Sequence, residues 1–216
     1  MLQMKYCNDN IFGRMSETPL FSNLPESERR ELMSELDVQI RCCSRGEVLT
    51  HECETASEAY VVLNGRILVY MCGYKDGRRH LAYTLQPGEI YGAAFPALEM
   101  RNNPGLLVPK TFAVVLRFKI DKIREYMKRG MHSAFIANLY AATAHHGFSV
   151  WRKLAIISCY GISDRVKMYM NWRHQDGLLD SDLPSVSEMA EYLCVNRTSL
   201  YRVLDKLKKH EQRPSA

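Results

Sequence analysis

Arg197, Thr198, Ser199, Tyr201 and Arg202 crowd into six positions near the end of this 216-residue sequence, and their side chains are of the kinds that read nucleic-acid edges. An arginine can make two parallel hydrogen bonds to guanine, and a threonine or serine hydroxyl can serve several bases or a phosphate. Such groups discriminate only when a rigid element presents them together. The flanking residues supply one: Val186, Met189, Ala190 and Leu193 recur at helical spacing, Cys194-Val195-Asn196 interrupts them, and Leu200, Val203, Leu204 and Leu207 resume. This predicts two short helices joined by a tight turn. Ser185 with Glu188 three residues on forms a capping box for the first, Asn196 can cap the second, and Pro184 disfavours helix upstream.

The five polar residues, with Asn196, fall in the first turns of the second helix, where a helix laid in the major groove meets base edges. From position 195 to 213 there are six cations, Arg197, Arg202, Lys206, Lys208, Lys209 and Arg213, against Asp205 and Glu211. That balance suits phosphate contact, and Ser185 and Ser187 could add phosphate bonds from the first helix. An ordinary helical hairpin with a solvated charged face would show the same apolar spacing.

Other chemistries find less support. A net charge of +5 is too mild to argue for a nucleic-acid partner by itself, and 46% hydrophobic with 25% charged residues describes a globular chain. No apolar run reaches the roughly 18 residues a membrane span needs, and the start has no signal-peptide core, so a cytoplasmic protein without membrane attachment is expected. Seven scattered cysteines, without a C-x-x-C pair, indicate neither a disulfide framework nor a zinc or iron–sulfur site. A metal-dependent enzyme on a β-roll would need converging histidines, often as H-x-H, whereas the β-rich region holds only His51 and His80. No enzyme activity and no required cofactor are expected. Haem would have His80, His145, His146, Cys72 or Met71 as conceivable ligands, and nothing selects among them.

Upstream of the two-helix motif, residues 8–37 read as two short helices with a bend at Ser22 and Pro25. Residues 38–118 then turn to short apolar runs at 38–40, 47–50, 59–63, 67–71, 80–85, 90–91 and 111–118, separated by Arg45-Gly46, Asn64-Gly65, Asp76-Gly77 and Pro87-Gly88. Regular short strands with such turns predict an antiparallel roll, and Asn64-Gly65 is the strongest hairpin signal. Residues 121–158 read as one long helix, with Phe135, Leu139 and Ala142 at the spacing of a coiled-coil seam and Gly147 loosening its middle. A helix packed on the roll would show that stripe too. Its length favours pairing with a second copy. Ser163 is expected to cap a further helix from Asp164 to about His174.

Roll, long helix, then helix-turn-helix is the order of parts in the Crp/Fnr family of bacterial transcription regulators, which the chain resembles over nearly its whole length. Arg45-Gly46-Glu47-Val48-Leu49, Tyr60-Val-Val-Leu-Asn-Gly-Arg66 and Leu85-Gln-Pro-Gly-Glu-Ile-Tyr-Gly92 resemble the family's glycine-punctuated turns, and Glu188-Met-Ala-Glu-Tyr-Leu with Asn196-Arg-Thr-Ser-Leu-Tyr-Arg-Val-Leu its DNA-reading helices. The resemblance implies an α+β chain: an N-terminal cyclic-nucleotide-binding-like β-roll with its leading helices (residues 1–125), a dimerisation helix and hinge (126–160) and a winged-helix-like helix-turn-helix domain (161–216). It implies a homodimer on a two-fold symmetric double-stranded DNA site, the roll as sensor of a small effector, and RNA polymerase as a candidate partner. A haem or redox sensor of the same architecture, or a sensor module without DNA binding, are its variants.

The departures carry information. Where cyclic-nucleotide members hold the ribose with a glutamate and the phosphate with an arginine ten residues on, this chain has Ala93 and Asn103, with Arg101 nearby. Burying a phosphate without its paired charge costs several kcal/mol, so cyclic AMP is not expected. Cys194 stands where the family has glycine, and Thr198 where many members have a glutamate that accepts from cytosine, so the operator should differ. Arg202 keeps the family's guanine-contacting type. The family's small β wing is expected to be short or absent after Lys209. A weakly polar effector is expected in a pocket lined by Gly92, Ala93, Ala94, Phe95, Thr111, Phe112, Tyr140, Thr143 and Ala144.

Overall fold

The computed structural model describes residues 11–72, 79–130, 133–177 and 183–211. The leading segment folds as α1 (Ile11–Ser16), a single 3-10 turn at Pro19–Phe21 and α2 (Glu26–Glu35), bent at the expected Ser22 and Pro25. Glu26 and Glu28 sit in the first turn of α2, where carboxylates favour the helix dipole. Leu20, Phe21, Leu24, Leu32 and Leu36 are buried against the sheets that follow.

Among the described residues, seven strands form the roll: β1 (Gln39–Cys43), β2 (Glu58–Asn64), β3 (Ile67–Cys72), β4 (Arg79–Leu85), β5 (Ile90–Tyr91), β6 (Leu106–Pro109) and β7 (Ala113–Lys119). They lie in two antiparallel sheets, ordered β1-β7-β2-β5 and β4-β3-β6. Gln39 stands opposite Arg117, Tyr60 opposite Tyr91, and Ile67 opposite both Leu85 and Pro109. The core is built from the fully buried Val61, Val62, Ile67, Leu107, Val115, Leu116 and Phe118.

Asn64-Gly65 makes a turn and not a hairpin. β2 and β3 do not pair; they belong to different sheets, and the turn carries the chain from one to the other. Gly65 has φ 84°, and a Cβ there would meet the Phe112 carbonyl oxygen at 2.3 Å. Glycine is therefore needed for close approach to the β6–β7 turn as well as for its dihedral. Residues 47–50 form no strand beyond a single bridge between Thr50 and Leu107, and β6 was not expected. Cys42 is disulfide-bonded, whereas the scattered cysteines indicated no disulfide framework.

The helix expected over 121–158 is two. A short α3 (Phe95–Leu98) precedes it, and then α4 (Ile120–Arg129) stops at Gly130, which adopts φ 67° and lets its N–H close the last turn on Met127. α5 (Ser133–Ile157) follows and runs through Gly147. Phe135 and Leu139 are 0% and 3% exposed and belong to the roll's core, with Ala142 packed beside them. The Phe135 ring meets Tyr126 at 5.6 Å and Phe21 at 6.4 Å. Asn138 on the same face donates to the carbonyls of Leu20 (3.0 Å) and Ser22 (2.8 Å). The apolar stripe proposed as a dimer seam is thus covered by the protein's own roll.

Two compact units divide the chain, Met1–Gly147 and Phe148–Ala216, and their boundary falls inside α5, so the expected middle part is shared between them. The second unit holds the end of α5, then α6 (Ile162–Gln175), α7 (Val186–Tyr192) and α8 (Arg197–Glu211), around buried Ile156, Val166, Met189, Ala190, Leu193 and Leu200. The N-cap of α6 is Gly161 rather than Ser163, and no side chain caps it. No helix among the described residues is long and apolar enough to cross a membrane.

Candidate nucleic-acid interface

The pair α7 and α8 is shaped by local bonds that the sequence encodes. Ser185 and Glu188 form the complete capping box: the Glu188 N–H donates to the Ser185 hydroxyl (3.3 Å), and the Glu188 carboxylate accepts from the Ser185 N–H (3.0 Å) and hydroxyl (2.6 Å). α7 ends in a Schellman motif, with Val195 N–H donating to the Ala190 carbonyl and Cys194 N–H to that of Glu191. Cys194 holds the left-handed position at φ 53°. Asn196 then accepts from the Thr198 N–H at 2.8 Å and starts α8.

One residue that sequence reasoning missed fixes this corner. Arg165 of α6 donates to the Cys159 carbonyl (3.0 Å) and the Leu193 carbonyl (3.2 Å), so one guanidinium closes the C-terminal ends of both α5 and α7. Its partners lie 6 and 28 residues away, and no spacing rule would find the second. Lys153 of α5 is also drawn in, with its ammonium 4.9 Å from the Tyr192 ring centre. Burial holds the Lys153 pKa below its ordinary value and pushes the Tyr192 phenol up to about 12.

With Leu200 fully buried and Val203, Leu204 and Leu207 packed inward, α8 is fixed in rotation. Its outer face shows Arg197, Thr198, Tyr201, Arg202, Asp205 and Lys206 to solvent, while Ser199 is half-buried at the edge. Arg197 lies over Tyr201, its guanidinium carbon 5.5 Å from the ring centre and its Nη2 at 3.5 Å from the phenol oxygen. Ser187 is exposed, and the exposed Ser185 has its hydroxyl committed to the cap. The segment after Glu211, where a wing would begin, lies outside the described residues.

The roll's candidate effector residues do not converge. Gly92, Ala93, Ala94 and Phe95 lie together at the Ala59 end of β2, where a Cβ on Gly92 would meet Phe95 at 3.1 Å and Ala59 at 3.2 Å. Phe112 sits against Gly65 at the other end. Six residues of strand separate these ends, about 20 Å. Thr111 is exposed there and spends its hydroxyl on the Arg66 N–H and the Phe112 carbonyl. On α5, Phe135, Asn138, Leu139 and Ala142 face the roll, which leaves Tyr140 (76% exposed) and Ala144 outward, and Thr143 donates to the Leu139 carbonyl.

Asn103, at the family's arginine position, is 4% exposed and fully engaged by the protein. Its carboxamide accepts from the Tyr91 hydroxyl, and donates to the Thr50 hydroxyl and, at 3.0 Å, to the His51 carbonyl. Its backbone N–H donates to the Glu54 carbonyl and its carbonyl accepts from the Cys53 N–H. Ala93 is buried and Arg101 is exposed, so neither charge of a phosphodiester site is in place. Nearby, His146 meets Tyr83 edge-on at 4.5 Å. Burial, and secondarily His145, lowers the His146 pKa, and burial raises that of Glu89 against the opposing pull of the Gln86 N–H and His145.

Residues 40–129 match the cyclic nucleotide-binding domain family. Solved structures similar to the chain include FixK2 from Bradyrhizobium japonicum, at 18% identity and a TM-score of 0.65 over 83% of this chain and 89% of that one. CLP, the c-di-GMP responsive global regulator of Xanthomonas campestris, matches at 14% identity and a TM-score of 0.67, over 89% and 96%. The catabolite activator protein of Thermus thermophilus matches at 20% identity and a TM-score of 0.54, over 92% and 91%. No curated protein matches the chain in sequence. The fold is thus a cyclic-nucleotide-binding roll followed by helices, shared with these solved structures.

Proposed function

We propose that the chain is a sequence-specific DNA-binding transcription regulator of the Crp/Fnr type that acts as a homodimer on a two-fold symmetric duplex site. The observation that carries this reading is the outer face of α8. A helix held in rotation by buried Leu200 presents Arg197, Thr198, Tyr201 and Arg202 at its exposed N-terminal half, beside Lys206. A helix kept for packing alone has no need of that set, whereas the major groove offers each of them a partner.

The second copy has a different seam from the one the apolar periodicity suggests. Trp151, Leu154 and Ser158 of the second unit follow one another at spacings of three and four along and just past α5, all exposed. Trp151 and Leu154 are 56% and 57% exposed. An exposed apolar stripe on one helix face suits pairing with the same face of a second copy. The effector is a small molecule without a buried phosphodiester, because Ala93 and Asn103 supply neither a carboxylate nor a cation. Action through RNA polymerase, and no catalytic role, belong to the same reading.

Selection of bound sequences from a random DNA pool, by the purified chain and by Arg202→Ala, tests the proposal. A two-fold symmetric consensus that loses its preference at one base pair per half-site in the variant supports it. Binding that is weak, salt-sensitive and indifferent to sequence in both proteins refutes it.

A further inference from the structure

Arg197 and Tyr201 stand one turn apart on the outer face of α8, where side chains four residues apart are neighbours. The Arg197 guanidinium carbon lies 5.5 Å from the centre of the Tyr201 ring, with Nη2 at 3.5 Å from the hydroxyl. Tyr201 is still 48% exposed, and it is the only aromatic side chain among the exposed residues of that face.

Resting on the DNA-binding reading above, we infer that Arg197 and Tyr201 act as one recognition unit, which reads a guanine together with a thymine within two base pairs of it. The guanidinium donates its hydrogen bonds in its own plane. The ring beside it restricts its rotation, and with Nη2 held at the Tyr201 hydroxyl the other in-plane donors suit the paired acceptors of guanine. The ring's uncovered part is apolar, and the apolar group on the major-groove floor is the thymine methyl. One helical turn rises 5.4 Å and one base-pair step 3.4 Å, so the two side chains address positions less than two steps apart. Tyr201 is thereby a positioning residue for Arg197 and a reader in its own right.

The test uses the full chain on its selected duplex, with the thymine kept or replaced by deoxyuridine, and with Tyr201→Phe and Tyr201→Ala beside the wild type. Removing the methyl should weaken the wild type about fourfold, the value of one buried methyl group. Tyr201→Phe should keep both that difference and the guanine preference. Tyr201→Ala should lose the thymine–deoxyuridine difference and lower the guanine preference about 2- to 12-fold, as freeing one long side chain would, with binding to unrelated DNA unchanged. A Tyr201→Ala protein that still separates thymine from deoxyuridine and keeps the guanine preference overturns the inference, as does a selected site with no thymine near the guanine. A wild type that selects no sequence removes the DNA-binding reading itself, and the wild-type arm tells that failure from the first.

Discussion

Leu154→Ala separates the two seams that α5 offers. The substitution deletes three carbons from a side chain that is 57% exposed in the single chain. At about 0.8 kcal/mol per methylene, the portion still in water corresponds to about 1.4 kcal/mol on each copy. A symmetric pair loses it twice, about 2.7 kcal/mol, which weakens the dimer about a hundredfold. Leu139→Ala is the counterpart: that side chain is 3% exposed inside the roll's core, so its loss should cost about 2–5 kcal/mol of folding stability. The folded fraction of Leu139→Ala should dimerise as the wild type does. Sedimentation equilibrium gives the dimer constants, and urea unfolding of each variant at a concentration below the dimer constant gives the stability of the chain alone. A Leu154→Ala protein that dimerises within twofold of the wild type would show that the exposed stripe is not where two copies meet.

Two further outcomes follow from the geometry. Cys194→Gly should stabilise the chain by about 1 kcal/mol in urea unfolding, because an L-residue at φ 53° gives way to the one residue without a Cβ penalty; a loss of stability would show that the exposed thiol has a role in the turn. His146, whose native pKa burial holds below 6.5, binds its proton less readily folded than unfolded. Its contribution is intact above about pH 6.5 and is lost as the pH falls from there through the lowered native value. Glu89, raised above 4.5 by burial, acts with the opposite sign: its contribution is present below about pH 4.5 and is lost as the pH rises through the raised native value. Denaturation midpoints between pH 5 and 7.5 should therefore fall less steeply on the acid side in His146→Gln than in the wild type, and equal slopes would refute the assignment.

The two-helix motif was legible in the sequence because the bonds that cap and turn it are local, whereas the Arg165 clamp on Leu193, 28 residues away, was not. Ser185 caps through a residue three positions on, Asn196 through one two positions on, and the buried Met189, Ala190, Leu193 and Leu200 recur at helical spacing. The roll was legible as a class and not as a topology. Asn64-Gly65 announces a turn, yet whether the next strand pairs back or joins another sheet depends on the Phe112 carbonyl 47 residues later, at the sheet-crossing point. Periodicity likewise found an apolar stripe at Phe135 and Leu139 without showing what covers it. The answer came from Phe21 and Tyr126, one of them more than a hundred residues away. The candidate pocket failed for a related reason. Its segments were grouped by resemblance, whereas β2 holds Gly92 and Phe112 at opposite ends. Gly130 was readable after all, since a glycine after Lys128-Arg129 is an ordinary helix stop.

The Asn103 carboxamide sets a threshold on entry of any molecule at its place in the roll. A molecule that settled between Tyr91, Thr50 and the carbonyl of His51 would first have to break the bonds these groups already make. Each is worth about 1 kcal/mol net, so three of them lower the apparent affinity by more than a hundredfold. A compound with intrinsic micromolar affinity would then act only above about 0.1 mM, and brief or small rises in its level would pass unnoticed. Abundant metabolites that resemble the effector loosely would be filtered out by the same barrier. In such a roll, deafness to weak ligands is a property of the resting state, built in before any particular ligand is considered.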